Sequence, residues 1–168
     1  MEIIPQQEEI SLLTYQVESL ANDIVLGYYY HRNIIKLMIA TGARVSDALT
    51  YEHWEIDNVD GIYFYAQKNS TFVHLPLDEL PNNITTILNE AREASNRISY
   101  EDIARYIKNY QKYRISTAAK NDLRTHICRY YFAKRKYSEG KSIAAISAML
   151  GDTQQRTLGY IGATITIK

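Results

Sequence analysis

The chain has 168 residues, 46% of them apolar and 23% charged, with 19 Lys and Arg against 19 Asp and Glu. That composition suits one globular domain with a full core and excludes a disordered or low-complexity chain. No apolar run is long enough to span a membrane, MEIIPQQEEI has neither the basic start nor the apolar core of a signal peptide, and the single cysteine, Cys128, excludes an internal disulfide.

The expected location is therefore cytoplasmic, with no membrane partner. Cys128 is expected as a neutral thiol packed in a helix. No metal-ligand spacing is present.

Taken in chain order, EEISLLTYQVESLA (8–21) and NDIVLGYYYHRNIIKLMIA (22–40) carry helical periodicity, with Asn22 as an N-cap and Gly42 as a C-cap. Ser46 can cap a short helix, SDALTYEHW, leaving Arg44 in the turn before it. The period then changes. GIYFYAQ and TFVHLPL are rich in β-branched and aromatic residues, are joined by the polar turn KNS, and read as a hairpin ended by Pro76. Helices follow over NITTILNEARE, near Pro81, and over SYEDIARYIKNYQKY, where Ser99 and Asp102 have capping-box spacing. AAKNDLRTHICRYYFAKRKY and SIAAISAML read as two more helices, then come RTLGYIG and a terminal β-type run, ATITIK. The fold class predicted is α+β, mainly α, with a small antiparallel sheet.

The zero net charge hides an asymmetry. From Arg105 to Lys141 there are eleven Lys and Arg against two acids, Asp122 and Glu139. Such a segment reads either as a nucleic-acid face or as a solvated helix surface. Within it, THICRYYFAKRKY sets His126 and Arg129 one turn apart on one helical face.

In order, the groups that draw notice are Arg44 in TGARVSDAL, Lys68 in the hairpin turn, His74 in VHLPL, His126 and Arg129 in THICR, and Tyr160 in RTLGYIG. This ordered set resembles the tyrosine recombinase (phage integrase) family, of the lambda-integrase-like kind. TGARVSDAL is similar to the family's first arginine box, THICRYYFAK to its HxxR box, and MLGDTQQRTLGYI to the box that ends in the nucleophilic tyrosine. The resemblance runs from Glu8 to the end. It implies a catalytic-domain fold of helices around a small antiparallel sheet.

A phosphodiester repels nucleophiles, and its transition state gathers charge on the non-bridging oxygens. Two planar, permanently charged guanidiniums can hold those oxygens, the role expected of Arg44 and Arg129. The resemblance implies that Tyr160 attacks phosphorus, forming a 3′-phosphotyrosyl link and releasing a 5′-hydroxyl, so that rejoining needs no ATP. It gives His126 a part in ionising the phenol and Lys68 the part of general acid. Asp47 is expected to support Arg44 through a carboxylate contact. His74, Arg124, Lys134, Arg135 and Lys136 are expected DNA contacts. No metal and no other cofactor is expected. The partners implied are double-stranded DNA, further copies of the chain in a tetrameric synapse, and accessory DNA-bending proteins.

Three features depart from the family pattern. LGD replaces the usual LGH, putting Asp152 where a histidine donates to the scissile phosphate; a carboxylate there repels that phosphate unless protonated or turned away. The spacing from Asp152 to Tyr160 is slightly short. The chain also begins where the family's helical core-binding domain would already have ended. One catalytic domain over residues 1–168, without the core-binding domain, is therefore expected, either as a fragment or as a short relative of the fimbrial phase-switch kind. The tail ATITIK is expected to add to the GIYFYAQ hairpin, in cis or in trans. Strand cleavage and rejoining for integration, excision or inversion is the leading expectation. A type IB topoisomerase-like relaxing activity and a DNA-binding regulatory module with weakened catalysis are the alternatives.

Overall fold

Leu13, Val17 and Leu20 recur at three- and four-residue steps, giving the first helix one fully buried stripe. In a computed structural model, which describes residues 6–23, 27–50, 54–110, 113–116 and 124–167, that helix is α1 (Gln6–Asn22). It packs on α2 (Tyr29–Thr41), whose Ile34, Ile35, Leu37 and Met38 are buried. Asn22, expected to open the second helix, instead closes α1. Gly42 ends α2 as expected, with φ 71° and its amide bonded to the Met38 carbonyl 2.7 Å away.

The short helix α3 (Val45–Leu49) starts after an extended Arg44 and not at Ser46. It stops before Trp54, which begins β1 (Trp54–Asp57). The Trp54 indole stacks on Phe64, its cross-strand partner, with centroids 4.0 Å apart, and Nε1 donates to the Asp47 carbonyl at 2.8 Å. The hairpin itself is β2 (Gly61–Ala66) with β3 (Thr71–Pro76), and β1-β2-β3 forms an antiparallel sheet. Ile62, Phe64, Val73 and Leu75 face the core; Tyr63, Phe72 and His74 face outward.

Helices α4 (Ile84–Ser95) and α5 (Tyr100–Tyr110) follow. The Ser99 hydroxyl accepts from the Asp102 amide, and the Asp102 carboxylate accepts from the Ser99 amide, a complete capping box. The predicted helix to Tyr113 stops at Tyr110, and Tyr113–Ser116 is instead β4. This hidden strand corrects the expectation for the tail. β5 (Thr164–Ile167) pairs antiparallel with β4, Tyr113 opposite Ile167 and Ser116 opposite Thr164, and not with the GIYFYAQ hairpin.

The chain's centre is α6 (Ile127–Ser138), entered through a 3₁₀ turn over Arg124–His126 and followed by α7 (Ile143–Leu150) and α8 (Gln154–Ile161). Every residue of α6 from Ile127 to Lys134 is buried, and it packs against α1, α2, α7 and α8. The expected helical start at Ala118 lies in a stretch of which residues 118–123 are outside the described residues. Cys128 is fully buried on α6, and burial pushes its thiol up to about 12, so it is neutral. Among the described residues no helix is long and apolar enough to cross a membrane.

Candidate functional site

Two arginines separated by about half the chain meet on one carboxylate. Arg44 enters from the α2–α3 turn with only 4% of its surface exposed, and Arg129 from the first turn of α6 with 1%. The TGAR sequence has a local physical reason. Gly42 sits in the left-handed region, and a Cβ there would lie 2.8 Å from both Leu150 Cδ2 and Phe132 Cγ. That close approach lets the Gly42 carbonyl accept from Arg129 Nη1 at 2.8 Å, while Arg129 Nη2 donates to the Leu150 carbonyl at 3.2 Å. Burial lowers the Arg129 pKa, yet a guanidinium is basic enough to keep its proton at neutral pH.

Asp152 lies between them. It follows Gly151, the left-handed C-cap of α7, and precedes Thr153, whose hydroxyl caps α8 by accepting from the Arg156 amide. Its carboxylate turns inward. Oδ2 accepts from Arg44 Nη2 at 2.9 Å, from Arg129 Nη2 at 3.2 Å and from the Tyr160 hydroxyl at 3.1 Å. Oδ1 accepts from the Thr153 amide at 2.8 Å and from Arg156 Nη1 at 3.5 Å. Burial pushes the Asp152 carboxyl up, but the Thr153 amide, the Arg129 and Arg44 charges and the Tyr160 hydroxyl outweigh it and hold the group below the usual carboxylate value. At neutral pH it is an anion. The sequence marks Asp152 as out of pattern, but its inward rotamer depends on two caps meeting at one residue, which no local pattern reveals.

Tyr160 projects from α8, 7% exposed. Its ring meets Tyr130 edge-on at 5.2 Å and lies 5.3 Å from the Arg129 guanidinium carbon. The His126 ring stands 6.4 Å from that of Tyr160. Burial first, and then the charges of Arg129, Arg44 and Lys68, push His126 down to about 3, so its imidazole is neutral. Lys68 is exposed on the hairpin turn. That turn is tethered twice: the Gln67 amide donates to Asp47 Oδ1 at 3.3 Å, and Asn69 Nδ2 donates to the Gly151 carbonyl at 2.9 Å. Arg44 takes Asp152 as its hydrogen-bonded carboxylate, while Asp47 holds the turn and acts on Arg44 through its charge.

Among the described residues, buried Arg44 Nε, Arg44 Nη1, Arg129 Nε and His126 Nδ1 have no hydrogen-bond partner. Such a cluster of unmatched polar atoms on two cations and an imidazole can bind an anion with more oxygens than a carboxylate offers.

The expected DNA contacts fare differently. Lys134 and Lys136 are not surface groups. Lys134 Nζ is buried against Glu9 at 3.2 Å and the Ile161 carbonyl at 2.7 Å, and Lys136 Nζ against Glu79 at 2.6 Å. A run expected to grip DNA phosphates needs an exposed helix, whereas α6 is buried almost all round and pairs Lys134 and Lys136 inside. Arg135 lies over the Tyr131 ring at 5.2 Å, partly exposed. His74 stacks on Tyr63 at 4.4 Å on the outer sheet face, its Nε2 2.7 Å from the Asp60 carbonyl. Arg124 is in the 3₁₀ turn, and its side chain lies outside the described residues.

A mainly helical body with a small antiparallel sheet matches the fold of tyrosine recombinases. No protein-family model matches the chain, and no curated protein does. Among solved structures, it is similar to XerA recombinase, with a TM-score of 0.56 and 14% identity over 96% of this chain and 58% of that one. It is also similar to a lambda integrase dimer bound to a COC′ core site, with 0.53 and 16% over 95% and 59%. The XerH recombinase pre-cleavage complex with its difH substrate gives 0.52 and 15% over 95% and 50%. The chain therefore spans between half and three fifths of the chains it matches.

Proposed function

We propose that this chain is a catalytic domain that cleaves and rejoins double-stranded DNA at specific sites through Tyr160. The observation that carries this reading is the convergence of Arg44 and Arg129 on one anion that is also within hydrogen-bond reach of the Tyr160 hydroxyl. In the proposed step the two guanidiniums hold the non-bridging oxygens of a scissile phosphate, and Tyr160 Oη attacks phosphorus. A phosphotyrosyl bond forms as the bond to the 5′ oxygen breaks, and that oxygen takes a proton from Lys68 on the tethered turn. His126 is neutral and can accept from the phenol. An arriving phosphate offsets the arginine field that helps depress its basicity.

One observation favours a second reading, a DNA-binding module without catalysis: the anion now in the pocket is the chain's own Asp152. Trapping separates the two. With a randomised set of nicked suicide duplexes, a denaturant-resistant protein–DNA adduct is expected in the wild type and its loss in Tyr160→Phe. Salt-sensitive DNA binding with no adduct in either protein would support the module.

A further inference from the structure

We propose that the Asp152 carboxylate is a built-in occupant of the phosphate pocket, a stand-in that closes the site until a phosphate group displaces it. The inference rests on the reading of this pocket as a phosphate site given above. The carboxylate takes one donor from each arginine and the Tyr160 hydroxyl on a single oxygen, where a phosphate oxygen would lie. Its side chain is fully buried, and Tyr160 is nearly so. In this state one of the pocket's two guanidinium charges is already compensated before any other anion arrives.

The match is incomplete. Arg44 Nε and Nη1 and Arg129 Nε remain buried without acceptors, which a planar two-oxygen group leaves unmet and a tetrahedral oxyanion can take up. An exit also exists. Asp152 lies on the link between two short helices, and on its outer side a groove of about 930 Å³ is lined by His74, Asn69, Thr153 and Arg156. Arg156, 55% exposed, already approaches Oδ1 at 3.5 Å, so a carboxylate swung outward keeps a cationic partner. The two placements of Asp152, against the buried arginines or against Arg156, make the switch.

The test is a titration with inorganic phosphate, read by thermal unfolding at fixed ionic strength against chloride, on the wild type and Asp152→Asn. Removing the charge should lower the midpoint without phosphate. Phosphate should then raise the midpoint of the variant saturably, at concentrations at least tenfold below any that act on the wild type. Equal responses in the two proteins, or a folded variant that ignores phosphate, would overturn the inference. Asp152→Ser, which removes the charge without adding a cationic donor, serves if the asparagine variant does not fold. Phosphate-dependent recovery of either supports the displacement, and failure of both to fold with or without phosphate shows Asp152 to be structural only. A phosphate response without any DNA adduct upholds this inference while removing the strand-cleavage reading.

Discussion

At the scale of single residues, Gly42 joins backbone to chemistry. Its left-handed φ and the absent Cβ bring Phe132 and Leu150 close enough for its carbonyl to fix Arg129. Gly42→Ala should cost about 2–4 kcal/mol, combining a left-handed L-residue with overpacking. A urea unfolding curve should show the shift, and adduct yield should fall with it. The glycine and both arginines were legible in TGAR and HxxR, because a fixed turn and a helical step impose local spacing. His126 carries a pH signature as well. Its folded pKa of about 3 lies below the unfolded 6.5, so between those values the unfolded chain binds a proton that the native one refuses. Stability contributed this way is present above about 6.5 and lost as pH falls. Facing it are Arg129, Arg44 and Lys68, which deepen the effect, and Asp152, which opposes it. The melting midpoint of His126→Asn should therefore drop less than that of the wild type between pH 7 and pH 5.

Among the elements, α6 organises the domain, and its cations act as internal ties. Lys134 joins α6 to Glu9 on α1 and to the last carbonyl of α8, the helix that carries Tyr160. Glu9→Ala leaves a buried ammonium without its counter-charge and should cost about 3–5 kcal/mol, more than the paired change of Glu9 and Lys134 to apolar residues. Chemical denaturation of the single and double variants checks this. The sequence does not disclose these ties, since KRK on a helix reads as solvated until the helix is known to be central. For the same reason β4 was hidden. Tyr113–Ser116 continues the aromatic spacing of α5, and only its partner Thr164–Ile167, some fifty residues on, marks it as a strand. The hairpin and the capping box depend on neighbours in sequence, so they are plain there.

Over the whole molecule, part of the charge asymmetry of the sequence is taken up inside the fold. Arg129, Lys134 and Lys136 are buried with partners, and Lys141 pairs with Glu79, so the positive stretch is only in part a surface. What the fold assembles instead is a small, deeply set cationic pocket with one phenol at its edge and one native carboxylate inside it. The measurement that tests this most directly is the location of the covalent bond. Adduct recovered from the suicide duplexes, trypsin-digested and sequenced by mass spectrometry, should carry nucleotide mass on the peptide Thr157–Lys168, where Tyr160 is the sole tyrosine. Nucleotide attached to any other tyrosine peptide would contradict the account.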